Sequence, residues 1–282
     1  MKITIIIPVY NEQAHIEHML GSLVGQTIKP SQVIIVDDNS TDNTPSVIKK
    51  YVDTYPWITT LNTHKTSKHS PGAKVIEAFY KGYEKCDLDA QLIGKFDADI
   101  ILPTNYLEKM IGIFASDNLV GMASGNLYIK KRDAWIFENI SEKTKVRGPI
   151  KLYKKECFEA IGGLKKSIGW DTVDGLLAAF HGWKTKTDPL LHVKHLKATG
   201  KAYTSEAKHK QGEAFYKMRY SKTLTRIAAL KLAVSKKDPL FYLHCMQGYN
   251  ISKKQKQPFI VSQQEGEFIR NFRWKAIKKK IL

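Results

Sequence analysis

The chain has 282 residues, of which 43% are hydrophobic and 26% are charged. This composition is ordinary for a soluble globular protein, and it excludes a disordered, collagenous or disulfide-scaffold chain. The formal net charge of +18 is uneven, because residues 201–282 carry 19 Lys and Arg against 5 Asp and Glu while residues 1–200 have a net charge of only +4, so the last third is typical of a segment that meets an anionic surface.

The first 115 residues alternate strand and helix signals. Apolar, β-branched runs predict strands, and apolar residues at helical spacing predict helices. The predicted strands are 3–9, 33–37, 57–61 and 92–96, and the predicted helices are 13–25, 44–53, 73–85 and 104–115. Alternation of this kind predicts a mostly parallel central sheet flanked by helices.

The regular alternation of predicted strands and helices ends after residue 118. Residues 119–131 predict one or two strands, and Gly182 is a stop signal for a helix over 171–181. A further short helix is predicted over 156–161 and a basic helix from about 205 to 235. The region around Pro258 and the Lys-rich stretch 253–256 predict a loop before a terminal helix.

Polar clusters follow three of the predicted strands. In open parallel sheets, ligands bind outside the carboxyl ends of the strands. Asp97 and Asp99 follow the fourth strand; they are either ligands for a hard divalent cation such as Mg²⁺ or Mn²⁺, or a solvated acidic turn. Asp37 and Asp38 follow the second strand, where such residues either form turns and caps or accept an N–H from a nucleobase.

Two common nucleotide-binding loops are absent. The turn after the first strand lacks the glycines of a dinucleotide-binding loop, and no phosphate-binding loop ending in Gly-Lys-Ser or Gly-Lys-Thr occurs. A nucleotidyltransferase is an alternative that also uses a sheet and paired acids. Its Gly-rich loop with Arg and Lys after the first strand is absent as well.

Three motifs in order, IIIPVYNE, VDDNSTDNT and FDAD, together resemble those of the family-2 glycosyltransferases with a GT-A fold. The helix that begins near Asp171, with Gly182 eleven residues on, resembles the family's acidic helix. The resemblance covers about residues 1–200. It implies an α/β, Rossmann-like GT-A catalytic domain over 1–200, with a nucleotide-binding half (1–115) and an acceptor-binding half (116–200), followed by a basic, mainly helical region over 201–282.

The resemblance also implies roles for single residues. Asp38 matches the residue that pairs with a uracil-type base, which favours a UDP-sugar donor. Asp171 matches the general base, although Trp170 stands where the family usually has an acid and Asp174 is an alternative base. His195 resembles the histidine that completes the metal or diphosphate site. The remaining residues implied to bind the nucleotide sugar are Pro8, Tyr10, Glu12, Lys74, Asp97 and Asp99, the last two also as metal ligands.

The activity implied by this resemblance is an inverting, Mg²⁺- or Mn²⁺-dependent transfer of sugar from a nucleoside diphosphate to an acceptor hydroxyl. The Q-x-x-R-W motif of processive polysaccharide synthases is absent, which favours transfer of a single sugar. The implied acceptor is a glycan or a lipid-linked molecule of cell-surface polysaccharide or glycolipid synthesis.

The basic C-terminal region has three interpretations. Residues 267–282 combine apolar positions at helical spacing with six Lys and Arg. They predict either an amphipathic helix on an anionic membrane or a terminal helix docked on the domain. A nucleic-acid-binding protein is a third interpretation, although no known binding motif for nucleic acid appears.

The sequence also predicts where in the cell the protein is located. Neither a signal peptide nor a run of about 20 apolar residues is found. The cysteines Cys86, Cys157 and Cys245 are far apart and lack metal-ligand spacing, as expected of reduced thiols. We therefore expect a cytoplasmic protein, peripheral at the inner face of the cell membrane if residues 267–282 bind lipid.

Overall fold

A computed structural model of the chain describes residues 1–63, 73–140, 142–198 and 205–281. Contacts divide the described residues into two compact units. The first unit comprises 1–63, 74–164 without residue 141, and 181–198. The second comprises residue 73, 165–180 and 205–281.

The first unit begins with four parallel strands in a βα alternation, as the sequence predicts. β1 lies in the middle, hydrogen-bonded to β2 and β4, and β2 pairs with β3. The elements are β1 (Ile3–Val9), α1 (Ile16–Val24), β2 (Gln32–Asp37), α2 (Thr44–Thr54), β3 (Ile58–Asn62), α3 (Ala73–Tyr83) and β4 (Leu92–Phe96). The predicted strands and helices of this part are therefore confirmed to within a few residues.

Beyond β4 the sheet becomes mixed, in the order β3-β2-β1-β4-β8-β6-β9-β5 with β7 paired to β6. The remaining elements of this unit are β5 (Ile100–Ile101), α4 (Tyr106–Ser116), β6 (Val120–Lys131), β7 (Ala134–Phe137), β8 (Ile150–Lys154), α5 (Lys155–Ala160) and β9 (Lys184–His195). Residues 119–131, predicted as one or two strands, form the single strand β6. Strand β9 was not predicted from the sequence, because its charged first half and Pro189 obscure the strand pattern.

The strands of the first unit are anchored by buried apolar side chains. The side chains of Ile5, Ile7, Val33 and Ile35 are fully buried, since β1 and β2 are covered on both faces. Burying one such side chain contributes about 1.5–3 kcal/mol relative to leaving it exposed. The carboxyl ends of β1, β2 and β4 therefore extend from strands whose apolar side chains are buried.

The second unit is helical among its described residues. Its helices are α6 (Trp170–Phe180), α7 (Ser205–Lys217), α8 (Lys222–Lys236), α9 (Pro239–Lys254) and α10 (Gln263–Ile281). None of the described helices combines the length and the apolar content that a membrane-spanning helix requires. Gly182, with φ of 80°, follows α6, as the predicted stop signal requires.

The prediction of one basic helix from about 205 to 235 is wrong, because α7 ends at Lys217 and α8 starts at Lys222. Arg219 has φ of 58°, which no helical residue adopts. The Ser221 hydroxyl accepts a hydrogen bond from Leu224 N at 3.2 Å and so caps the new helix. The Lys-rich stretch near 253–256 also differs from the predicted loop, because α9 continues to Lys254.

Helices α7 and α9 touch through two glycines. A Cβ atom on Gly212 would lie 1.7 Å from the carbonyl oxygen of Cys245, and one on Gly248 would lie 2.0 Å from that of His209. The two backbones are therefore closer than any side chain at these positions would permit.

The first half of α10 packs inside the second unit. Ile269 is fully buried, and the ring of Phe268 lies 5.5 Å from that of Phe180 on α6. Phe272, one turn further, is 43% exposed. Part of the apolar face predicted for residues 267–282 is therefore used for packing against protein.

Candidate active site

The loops after β1 and β2 are joined by hydrogen bonds between their polar side chains and backbone. Asn11 has φ of 52°, a conformation that asparagine adopts more readily than most residues. Its N–H donates to Ser40 Oγ at 2.9 Å, and its Oδ1 accepts from Thr41 N at 2.8 Å. Glu12 N donates to Thr44 Oγ1 at 2.8 Å. The polar residues after these strands thus fix one another at the edge of the sheet.

Asp37 and Asp38 are adjacent in the chain but have different surroundings. Asp37 is buried, and its Oδ1 accepts from both the N–H and the hydroxyl of Ser40, at 3.0 and 2.6 Å. Asp38 is partly exposed and accepts from Thr63 Oγ1 at 2.5 Å. Asp37 therefore shapes the turn, while Asp38 keeps part of its carboxylate accessible from outside the loop.

Asp97, Asp99 and His195 form a cluster. Each offers one ligand atom, and these atoms lie within 4.8 Å of one another. The cluster exists because β5, directly after Asp99, pairs with the end of β9, so that Ile100 stands opposite His195. Leu196 N also donates to the carbonyl of Asp99 at 2.8 Å. His195 and His192 lie on opposite faces of β9, as their odd spacing predicts, since His195 is buried and His192 is exposed.

The charged groups of this cluster act on one another at short range. Burial, followed by repulsion from Asp97, raises the pKa of Asp99 to about 6. Burial alone lowers the pKa of His195, but the hydrogen bond to Glu138 and the negative charge of Asp99 outweigh it and raise that pKa. The buried Lys95 ammonium forms an ion pair with Asp97 Oδ1. Burial and repulsion from Asp97 thus make Asp99 the carboxylate whose ionised form a bound cation would stabilise.

These residues fit a divalent cation. Two carboxylate oxygens and an imidazole nitrogen are ligands that Mg²⁺ or Mn²⁺ accepts, and three protein ligands leave coordination positions for oxygens of a substrate. Among the residues that the structure describes, this is the one group of at least three Asp, Glu, His or Cys side chains whose ligand atoms all lie within 4.8 Å of one another.

Sequence reasoning missed two charged groups beside the cluster. Lys197 Nζ lies 2.6 Å from both carboxylate oxygens of Glu12. Glu138 Oε2 lies 3.2 Å from His195 Nδ1 and 2.9 Å from an Arg147 guanidinium nitrogen. Lys197 stands two residues after His195, and in an extended chain side chains two residues apart lie on the same face. This spacing could have identified Lys197, whereas no local pattern in the sequence marks Glu138.

The other residues implied to bind nucleotide occupy different positions in the first unit. Pro8 lies within β1, opposite Val36 of β2. Tyr10, just after that strand, is 48% exposed. Lys74 stands in the first turn of α3 and is partly buried.

The two candidate bases belong to α6 of the second unit. Asp171 is partly exposed in the first turn of the helix. Asp174 is fully buried, and its Oδ1 accepts from Gly175 N at 2.6 Å. Trp170, in the place of the acid that the family usually has, is 8% exposed.

Comparison of sequences gives a family and several relatives. The model described as glycosyl transferase family 2 matches residues 4–164. The uncharacterized glycosyltransferase MG025 homolog of Mycoplasma pneumoniae is 28% identical over 177 residues, 58% of this chain and 57% of that protein. The minor teichoic acid biosynthesis protein GgaA of Bacillus subtilis is 26% identical over 166 residues, 57% of this chain and 36% of that protein. This chain thus matches less than two thirds of the length of either relative.

Comparison of structures establishes the fold. TarS 1–349 of S. aureus, in complex with UDP-GlcNAc, has a TM-score of 0.57 at 16% identity, covering 75% of this chain and 65% of that chain. The mannosyltransferase PcManGT of Pyrobaculum calidifontis, in complex with GDP-Man and Mn²⁺, has a TM-score of 0.59 at 18% identity, covering 98% of this chain and 80% of that chain. The α/β fold expected from the sequence, GT-A, is therefore confirmed.

Proposed function

Since the chain belongs to glycosyl transferase family 2, we propose that it moves a single sugar from a nucleoside-diphosphate sugar to an acceptor hydroxyl with inversion at the anomeric carbon. The observation that carries this proposal is the Asp97–Asp99–His195 cluster at the carboxyl ends of the strands. Open α/β sheets bind their ligands at that edge.

Donor binding is assigned to the loops of the first unit. Asp99 and His195, with Asp97, would hold Mg²⁺ or Mn²⁺, which offsets the charge of a leaving diphosphate when bound. Asp38 would accept an N–H from the base, which favours a UDP-sugar. Pro8, Tyr10, Glu12 and Lys74 complete the proposed donor site, which apart from His195 lies within residues 1–115.

Asp171 is the proposed general base. It would take the proton of the acceptor hydroxyl while that oxygen bonds to the anomeric carbon and the bond from this carbon to the diphosphate breaks. Burial supports this choice over Asp174, because a fully buried carboxylate hydrogen-bonded to its own helix is less accessible to an acceptor. Acceptor binding is assigned to residues 116–200.

Two observations bear on the acceptor and the location. GgaA, by its name a minor teichoic acid biosynthesis protein, supports an acceptor in cell-surface polymer or glycolipid synthesis. We propose that such an acceptor is met at the cytoplasmic face of a membrane. We therefore propose that the basic end of α10, with Lys275, Lys278 and Lys279 exposed, contacts anionic lipid.

Thermal shift with a panel of nucleotides tests the donor site. UDP, GDP, UDP-glucose, UDP-GlcNAc and GDP-mannose are each added with and without Mn²⁺. A ligand at about 100 times its Kd stabilises the folded state by about 2.7 kcal/mol, which raises Tm by several degrees. We expect one base to stabilise the protein only with Mn²⁺, and Asp99→Ala to abolish that shift.

Asp117→Ala is the matched control. Asp117 is also an acidic residue of the first unit, but it pairs with Lys184 at 3.0 Å on the surface. Its variant is expected to keep the nucleotide-dependent shift whatever its own Tm. A folded protein that responds to no nucleotide, or responds equally in Asp99→Ala, would contradict the proposed donor site.

A further inference from the structure

A buried ion pair lies behind the metal cluster. Glu138 directly follows β7, and its Oε2 lies 2.9 Å from an Arg147 nitrogen and 3.2 Å from His195 Nδ1. The side chains of Glu138, Arg147 and His195 are 2%, 6% and 4% exposed. The three groups thus form a chain of contacts that ends at the cluster.

Glu138 is held from several directions. Its N–H donates to Leu127 O at 2.9 Å, which fixes the backbone against β6. Arg147 contacts both the carboxylate and, at 3.3 Å, the carbonyl oxygen of Glu138. A buried carboxylate stays ionised only when a partner of this kind offsets its desolvation.

The position of Glu138 decides what His195 can do. An ionised carboxylate only accepts hydrogen bonds, so the neutral imidazole must carry its proton on Nδ1. Nε2 then carries no proton, and its lone pair is available to a cation. The distance from Nε2 to Asp99 Oδ1 is 3.7 Å. Metal-binding histidines are commonly oriented in this way by a carboxylate on their other nitrogen.

We propose that Glu138, held by Arg147, is a positioning residue that fixes the tautomer and the ring orientation of His195 so that Nε2 binds the divalent cation. This inference rests on the proposed function, because it takes the Asp97–Asp99–His195 cluster as the metal site.

An ion pair that only stabilised the fold would account for fewer of these contacts than a positioning role does. A Glu138–Arg147 pair that only secured the loop after β7 would not need a third partner. Here the oxygen that accepts from Arg147 is also the one beside His195 Nδ1. The chain of contacts runs from β7 to β9 and ends on a side chain of the cluster.

Direct measurement of Mn²⁺ binding tests the proposal. Free Mn²⁺ is measured by electron paramagnetic resonance in titrations of the full chain with UDP present. Glu138→Gln places an amide oxygen where Oε2 stands, and so keeps the acceptor for Arg147 and His195 and loses the charge; Glu138→Ala loses both. We expect Mn²⁺ affinity to fall about 10-fold in the first variant and up to about 100-fold in the second. Glu84→Gln, at an exposed position of the same unit, is expected to bind Mn²⁺ as the wild type does.

A double variant separates positioning from a general loss of structure. In a His195→Ala background Glu138 has no imidazole to orient, so adding Glu138→Gln is expected to change Mn²⁺ affinity less than twofold. An equal loss in both backgrounds would overturn the proposal, because Glu138 would then act without His195. If Asp99→Ala and His195→Ala themselves bind Mn²⁺ normally, the proposed metal site fails. If they weaken Mn²⁺ binding while Glu138→Ala keeps the wild-type affinity, only the positioning role fails.

Nitrogen NMR of histidine gives a readout that is independent of metal. In metal-free protein, at a pH above the raised pKa of the His195 imidazole, we expect His195 of the wild type to carry its proton on Nδ1. Glu138→Ala is expected to show a mixture of both tautomers, and Glu138→Gln to keep the wild-type tautomer. An unchanged tautomer in Glu138→Ala would overturn the proposal.

Discussion

The ammonium of Lys197 lies 2.6 Å from both carboxylate oxygens of Glu12, although 184 residues separate them in the chain. Lys197 follows β9 and Glu12 follows β1, so the pair joins the two strand ends that border the Asp99 cluster. The positive charge of Lys197 lowers the pKa of Asp99, while Glu12 raises it. Lys197 is thus a cation of the candidate site that a leaving diphosphate could use.

Lys197→Ala is expected to weaken binding of UDP with Mn²⁺ about fivefold, because a cation beside the diphosphate is lost and Glu12 adds uncompensated negative charge. Titration calorimetry measures the Kd. Lys184→Ala, which breaks a surface ion pair with Asp117, serves as the control and should leave the Kd unchanged. Equal Kd values for the two variants would remove Lys197 from the donor site.

Asp171→Asn is expected to reduce transfer about 10²- to 10⁴-fold, the usual contribution of a general base, with donor binding unchanged. Asp174→Asn is expected to lower Tm, because it alters a fully buried carboxylate, and to keep most of its activity at a temperature where it is folded. The measurement is nucleoside-diphosphate release from whichever sugar donor stabilises the protein, with glycerol as the hydroxyl acceptor. The reverse order of activities would make Asp174 the base.

Mn²⁺ affinity is expected to fall as the pH is lowered from 7 to 5. Burial and repulsion from Asp97 raise the pKa of Asp99 to about 6, so below that pH a proton must leave before the carboxylate can bind metal. Each displaced proton reduces the apparent affinity about tenfold per pH unit below its pKa, and His195, whose pKa is also raised, must lose a proton as well. Mn²⁺ titrations across this range measure the slope; an affinity that is independent of pH would argue against Asp99 as a ligand.

Gly212→Ala is expected to lower the stability of the protein by about 1–3 kcal/mol or more, because its methyl group would meet the carbonyl of Cys245 on α9. Gly112→Ala is the matched control in α4, where a Cβ meets no atom within 4 Å. This control should be neutral or stabilising by up to about 1 kcal/mol, since alanine favours a helix over glycine. Urea unfolding compares the two; equal stability would mean that α7 and α9 can move apart at little cost.

Reversing the charges of Lys275, Lys278 and Lys279 to Glu is expected to abolish flotation with anionic liposomes at low salt. Each cation near such a surface contributes about 1 kcal/mol. The control is Lys49→Glu and Lys50→Glu on α2, where both positions are exposed. Flotation that is unchanged by the α10 variant would exclude this helix as the membrane contact.

The sequence determined the first half of the fold and the residue types of the site. Continuous β-branched runs such as Ile3–Val9 form strands that are buried on both faces, and the polar residues after them lie at the ligand-binding edge of the sheet. These are local properties, because a strand pattern and the turn after it lie within a few residues. Asp38, Asp97 and Asp99 could therefore be selected without coordinates.

The family resemblance named His195 beside Asp97 and Asp99, but only the tertiary structure explains how these distant groups meet and adds Lys197 and Glu138 to them. His195 reaches Asp99 because β9 pairs with both β5 and β6, and Glu138 reaches His195 through the strand pair β6 and β7. Asp171 is partly exposed and Asp174 is fully buried, and this difference depends on packing around α6. The burial of Ile269 in α10 has the same origin. Strand pairing and burial join residues far apart in the chain, and no local pattern records which segments will become neighbours.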